Sequence, residues 1–390
     1  MAVERPDSEP TVAGERPGTA DSAENLVPFP HENGTPRWRV VLSKLAHFVP
    51  AMFLFILAIQ LMKQGAGALA PFLADSGFFD NGISTLGLGW LGAYIVLSGS
   101  PIAATALSFH AADGITPLQT FTMLSGSRLG ASFIVLLVGF IYYVRGKDRR
   151  QSLGMGVLAM SMTAVQYLPG MMLGYLILRL GWLDGIQWTA SGELQNFIDV
   201  GWGWAVDLIA NNVPQGLLFP IGLAVILVSF KLLDRVLPEL DPEKHHTTHE
   251  HWLKKPWPMF FLGCVAALLT LSVAVALTVL VPLASKGYLN RREALPYIAG
   301  ANITTLADTL VAAMLLGRSS GVQVVLAEAI GVAIVTLLLL AFIYSPLRRA
   351  VIGLDDWVIG SNRRLYLFVG VLFLVPIALM LAGGLIGPFD

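Results

Sequence analysis

Apolar stretches occupy residues 46–75, 86–112, 115–144, 152–180, 202–236, 257–284, 293–317, 322–345 and 365–386 of the chain, to within a few residues at each end. A helix needs about 20 residues to cross the hydrocarbon core of a bilayer. Every stretch is long enough, and backbone polar groups cannot stay unpaired in lipid, so each predicts helix. The polar intervals set orientation. Arg145-Gly146-Lys147-Asp148-Arg149-Arg150 is basic and belongs on the cytoplasmic side. Residues 181–200 carry Asp184, Glu193 and Asp199 with no Lys or Arg, and belong outside. Residues 346–364, with Arg348, Arg349, Arg363 and Arg364, belong inside. Trp182, Trp188, Trp202 and Trp204 bracket the acidic interval as interfacial anchors do.

Those constraints fix the count of crossings. With the N-terminus inside, the first stretch runs outward and the third must return to reach Arg145. The second, 86–112, then enters and leaves on the outer side as a re-entrant hairpin. By the same logic 257–284 is a hairpin from the inside, while 293–317 and 322–345 cross. The expected fold is an all-α polytopic membrane protein: two inverted-topology repeats, each with a re-entrant hairpin, plus an extra C-terminal helix. The predicted divisions are a disordered tail (1–45), a first repeat (46–180), an extracellular acidic loop (181–201) and a second repeat (202–345) with a cytoplasmic His-rich loop (237–256). A basic loop and last helix (346–390) follow.

Composition strengthens this picture. The chain is 55% hydrophobic and 13% charged, where soluble domains carry about 25% charged residues. The expected location is the cell membrane, multi-pass, with the bilayer as first partner and no nucleic acid. The lone cysteine, Cys264, excludes an intrachain disulfide framework and a cysteine-cluster metal site, and reads as a packing residue. The first 45 residues are rich in Pro, Gly, Glu, Ser and Thr and lack a sustained apolar period. No signal peptide is evident.

Two polar interruptions stand out. Gly300-Ala301-Asn302-Ile303-Thr304-Thr305 lies inside an apolar stretch, 28 residues after Ser272. A fainter copy, Gly126-Ser127-Arg128-Leu129-Gly130-Ala131-Ser132, follows Ser98-Gly99-Ser100, with 28 residues again separating Ser98 from Gly126. A shift of 174 residues brings 96–139 onto 270–313, with Leu97/Leu271, Ser98/Ser272, Gly126/Gly300 and Leu136/Leu310 identical. Small, hydroxyl and amide residues interrupting membrane helices at matching places in two halves are the mark of a transporter site between repeats.

At these residues the chain resembles the sodium/phosphate cotransporter family, the type II kind with bacterial relatives. That family carries Q-S-S-S in each hairpin and G-A-N-I-G-T-T at the following helix. The second repeat, from Leu271-Ser272-Val273-Ala274 to GANITT, follows the layout, and Phe55 through Gly65 resembles the first helix. The chain departs from the pattern in places. Leu97 and Leu271 stand for the family glutamines, Arg128 for the first asparagine, and Thr304 for the second glycine. The resemblance implies secondary-active uptake of inorganic phosphate or a related small anion by alternating access, with sodium as coupling ion and no other cofactor. A homodimer is compatible with such a fold. The alternatives are a sodium-independent anion channel or exporter, and a non-transporting membrane protein that keeps the fold.

The substrate and ion candidates follow from the chemistry. Ser98, Ser100, Ser127 and Ser272 offer hydroxyls to an oxyanion; Asn302, Thr304 and Thr305 offer oxygens to sodium. The competing reading for each is close helix packing. Arg128 and Asp308 are sharper, because a charge within the membrane costs at least ~2.5–3.5 kcal/mol. Arg128 either binds the anion, or pairs with Asp308 across the repeats, or lies near a helix end and reaches the headgroups. Asp207 and Glu328, near predicted ends, pose the question less sharply. His245, His246, His249 and His251 form a tract with metal-ligand spacing, read first as a solvated loop. No Gly-rich phosphate loop, H-E-x-x-H or G-x-S-x-G occurs, so no enzyme is expected and transport would be secondary.

Overall fold

A computed structural model describes residues 37–74, 77–236, 255–270 and 272–386. The elements are all helical. The first half holds α1 (Arg37–Ala74), α2 (Gly82–Val96), α3 (Ser100–Ala111), α4 (Pro117–Ala131), α5 (Phe133–Val144) and α6 (Arg149–Arg179). Next come α7 (Gly192–Ala210), α8 (Gln215–Val236), α9 (Pro256–Thr270), α10 (Val273–Thr278), α11 (Leu280–Ser285), α12 (Arg291–Thr304) and α13 (Leu306–Leu315). The chain closes with α14 (Ser319–Phe342), α15 (Tyr344–Ile359) and α16 (Asn362–Ile386). Among the described residues seven segments are long and apolar enough to cross a membrane: 44–72, 117–144, 149–179, 215–233, 291–315, 319–342 and 362–382. They fall in seven of the nine apolar stretches. The other two stretches, 86–112 and 257–284, are built from shorter helices with a break in the middle.

Local chemistry explains the boundaries. Asn81 caps α2, its Oδ1 accepting from the backbone N–H groups of Ile83 (3.0 Å) and Ser84 (3.1 Å). Thr116 and Gln119 form a capping box at α4, with Pro117 at the first helical position. Between α2 and α3, Leu97 adopts a left-handed backbone with φ of 57°. That conformation disfavours a branched side chain, and it lets the chain reverse into Ser98-Gly99-Ser100. Ser272 caps α10 at the corresponding break, its Oγ accepting from Val275 N–H at 3.3 Å.

The packing repeats at the 174-residue shift. A Cβ built on Gly126 would lie 2.1 Å from the Leu86 carbonyl oxygen; one on Gly300 would lie 2.0 Å from that of Phe260. Gly89 meets Met123 O, and Gly263 meets Tyr297 O, each at 2.0 Å. All four pairs are matched by that one shift, so α2 against α4 and α9 against α12 make the same close crossing. Only glycine permits such an approach of helix backbones.

Several sequence expectations need correction. Residues 37–45 belong to α1, so the helix begins within the segment read as tail; 1–36 lie outside the described residues. Residues 192–200 are the start of α7, so the acidic loop is half helix. The stretch 202–236 is two helices parted at Asn211-Asn212-Val213-Pro214, where Pro214 lacks the N–H a continuous helix needs. Residues 346–364 are mostly the amphipathic α15, not a loop. The His tract lies outside the described residues.

Basic residues gather at one end of the bundle. Arg291 donates from Nη1 to Asp355 Oδ2 (2.5 Å) and Asp356 Oδ1 (2.8 Å). A cavity of about 670 Å³ there is lined by Arg291, Arg292, Arg348, Tyr344 and Asp356 among others. Burial pushes the Asp355 carboxyl up from 3.8 to about 6, against the opposing pull of Arg291. A raised carboxyl pKa means the fold favours the protonated form. Its stabilising contribution is full below the unfolded value of 3.8 and fades as pH rises through about 6. Thermal unfolding in detergent should therefore show wild type losing stability relative to Asp355→Asn over that window, by up to about 3 kcal/mol. A difference that instead grew in wild type's favour with rising pH would reverse the assignment.

Candidate functional site

Arg128 sits in the last turn of α4 and is 2% exposed. The headgroup-reaching reading is thereby excluded. Its guanidinium gathers groups from both halves of the chain. Nη1 donates to Thr305 Oγ1 at 3.1 Å and reaches Ser100 Oγ at 3.5 Å. Nη2 donates to Thr309 Oγ1 and lies 3.8 Å from Asp308 Oδ1. Asp308 is 6% exposed, and its Oδ1 also accepts from the Thr309 N–H (2.6 Å) and hydroxyl (2.9 Å). Ser100 starts α3, directly after the break in the first half. Thr305, Asp308 and Thr309 flank the α12–α13 junction. The two polar interruptions seen in the sequence thus meet at one buried guanidinium.

Helix α12 ends at Thr304 and α13 restarts at Leu306, with Thr305 between them in helical backbone, so Thr305 and Thr309 lie one turn apart on one face. On α4 the Gly126 and Gly130 crossings draw the backbone against α2, which places Arg128 between them on the opposite, inward face.

The remaining candidates are placed as follows. Asn302, at the position equivalent to Arg128, points into a separate network. Its Nδ2 donates to Thr163 Oγ1 (3.0 Å) and Gln166 Oε1 (2.8 Å). Gln166 donates in turn to Ala299 O and Thr336 Oγ1, and Tyr167 donates to Asn302 O at 2.7 Å. Thr304 donates to Cys264 O at 3.0 Å and Ser127 to Leu124 O at 2.7 Å. These hydroxyls serve helix packing in this arrangement. Ser98 is half-buried beside the break, and Ser272 caps α10. Asp207 is exposed on α7.

Sequence reasoning missed Thr309, Thr163, Gln166 and Tyr167, and it placed Glu328 too near a helix end. Thr309 could have been found from its neighbour Asp308. Gln166 stands in an apolar stretch where an amide needs a partner. Glu328 lies nine residues into α14 and is wholly buried. The described residues contain no group of three or more His, Cys, Asp or Glu placed to hold a metal ion.

Chemically the arrangement is a buried cation with a fork of donors. Hydroxyls from two breaks surround it, and one carboxylate balances it. A buried guanidinium of this kind can hold a planar or tetrahedral oxyanion by two parallel hydrogen bonds. Here Thr305 and Thr309 accept from those donors, and Asp308 stands beside them as the counter-charge. Arg128 Nε and Asp308 Oδ2 have no hydrogen-bond partner among the described residues.

No curated protein and no solved structure matches the chain. Residues 225–381 match the family model described as Na+/Pi-cotransporter. That stretch includes α9 to α15, and with them Ser272, Asn302, Thr305 and Asp308. Over that stretch the chain is similar to the sodium/phosphate cotransporter family, a family of transporters and not of enzymes.

Proposed function

We propose that the chain is a secondary-active transporter of inorganic phosphate or a related small anion, coupled to sodium. The anion would bind at Arg128, between two repeats of inverted topology. The observation that carries this reading is the single guanidinium joining Ser100, at the break of the first half, to Thr305, Asp308 and Thr309 at the α12–α13 junction of the second. Structural symmetry supports two repeats, because the glycine crossings recur at the same 174-residue shift.

The contacts at the helix ends support opposite orientation. The outer ends of α2 and α3 lie near the start of α4 and the α13–α14 junction: Gln119 donates to Phe79 O, and Arg318 pairs with Asp113 at 2.6 Å. The outer ends of α9 and of the α11–α12 turn meet at the arginine-rich end, where Pro256 and Asn290 line the same cavity. Each hairpin would thus enter from its own side and stop at its break. The arginines gathered at one end support a cytoplasmic side for that end. Alternating access would rock one repeat against the other, breaking and remaking the Arg128–Asp308 pair as the anion takes Asp308's place. Sodium would be held by hydroxyl and carbonyl oxygens near Ser98, Ser272 and Thr305, and by Asp308 once it leaves Arg128.

The test is uptake of labelled phosphate into proteoliposomes, with and without an inward sodium gradient. Sodium-dependent uptake is the expected result. Uptake indifferent to sodium would favour the channel or exporter reading. Absence of uptake for phosphate and for sulfate would leave the Arg128–Asp308 pair as a fixed clamp in a non-transporting protein.

A further inference from the structure

Glu328 is a buried carboxyl that the site described above does not use. It is 0% exposed, and neither carboxylate oxygen has a hydrogen-bond partner among the described residues. Ser125 lies beside it on α4, but the Ser125 hydroxyl donates to Phe121 O at 2.9 Å. A hydroxyl has one proton to give. Ser125 therefore offers Glu328 only a lone pair, which a carboxylic acid can use and a carboxylate cannot. Tyr167 on α6 acts on Glu328 as well, and its proton is committed to Asn302 O.

The charge that acts on Glu328 is Arg128 on α4, the same guanidinium that pairs with Asp308 on α13. His110 on α3 bonds Ser320, two turns away at the start of α14. The charged groups of α12 and α15, Arg291, Glu293, Arg348 and Asp355, gather at the arginine-rich end. One cation thus serves two carboxylates. Asp308 has the ion pair and two further donors; neither oxygen of Glu328 accepts a hydrogen bond among the described residues. An ionised carboxylate left bare in such a place neutralises itself instead.

We propose that Glu328 is a proton-carrying site: it holds a proton in the arrangement seen and releases it when the cluster opens to water. On release the Oε–H bond breaks, the proton passes to water, and the electron pair stays on the carboxylate. The new charge then competes for Arg128. Protonating Glu328 removes one competitor for the guanidinium, so proton and anion favour each other's binding, and by linkage the effect is mutual. Anion and proton would move in the same direction. The coupling rests on the transporter reading; the proton on Glu328 does not.

Two readouts separate them. In infrared spectra of the purified protein at neutral pH, a protonated-carboxyl C=O band is expected, present in wild type and lost in Glu328→Gln. A band that survives Glu328→Gln, or none in wild type, overturns the proposal. In proteoliposomes loaded with a pH-sensitive dye, labelled phosphate entry should acidify the lumen. The ratio of protons to phosphate should fall to nothing in Glu328→Gln and return in Glu328→Asp. An unchanged ratio in Glu328→Gln would also overturn it. If phosphate does not move but the band behaves as expected, the transporter reading fails and the protonated Glu328 stands.

Discussion

Alanine at Asp308 is expected to cost about 3–5 kcal/mol of stability, because it strands Arg128 as an uncompensated buried charge. Arg128→Ala should cost a similar amount by stranding Asp308. The double replacement Arg128→Met with Asp308→Leu should recover most of the loss, since apolar pairs of similar volume often substitute for buried ion pairs without penalty. Thermal unfolding of the four proteins in detergent measures the coupling directly. The same set separates structure from function. If the pair is only a clamp, the stable double variant keeps whatever transport the wild type has. If Arg128 is the anion's ligand, the double variant folds and transports nothing. Recovery of both stability and uptake would remove Arg128 from the pathway.

The second large effect falls on the glycine crossings. Gly300→Val places a side chain where even Cβ would lie 2.0 Å from the Phe260 carbonyl oxygen, and a helix backbone cannot give way like a flexible side chain. Overpacking of a tight interface costs typically ~1–3 kcal/mol and occasionally more. This site belongs at the upper end, so little monodisperse protein is expected. Gly126→Val, its counterpart, should behave alike, because it meets Leu86 O at 2.1 Å. Gly201→Ala and Gly203→Ala on α7 provide the control: nothing lies within 4 Å of either added Cβ. There alanine should be neutral or stabilising by up to about 1 kcal/mol, as helix propensity predicts. Size-exclusion profiles and melting temperatures of the four variants decide the matter. Normal behaviour of both valine variants would mean that the crossings are looser than described.

Much of the architecture was legible because membrane helices obey a simple physical rule. A segment in lipid must satisfy its own backbone and present apolar side chains, so length and hydropathy alone locate it. All seven candidate spans fall inside predicted stretches, and the two stretches read as hairpins contain only short helices. Where the rule was silent, the reading slipped. The break at Asn211–Pro214 hid inside one apolar run, because hydropathy averages over a short polar turn. Helix α15 passed for a loop because an amphipathic helix at an interface has the composition of a basic loop.

Within the site, residue type and position along the chain pointed to Arg128 and Asp308, since an intramembrane charge needs a partner wherever it lies. The amino-acid sequence alone determined that the chain is a membrane protein, where its helices run, and that two polar interruptions recur at one spacing. Only the tertiary structure decided what those interruptions touch. Ser127, Asn302 and Thr304 look like ligands in sequence, yet their hydrogen bonds serve packing, whereas Thr309 joins the fork around Arg128. Glu328 changed most, from a charge near a helix end to a wholly buried carboxyl without a partner. The reason is geometric. Spacing along a helix sets the face a side chain occupies, but its partners come from other helices. The glycine crossings set how those helices approach.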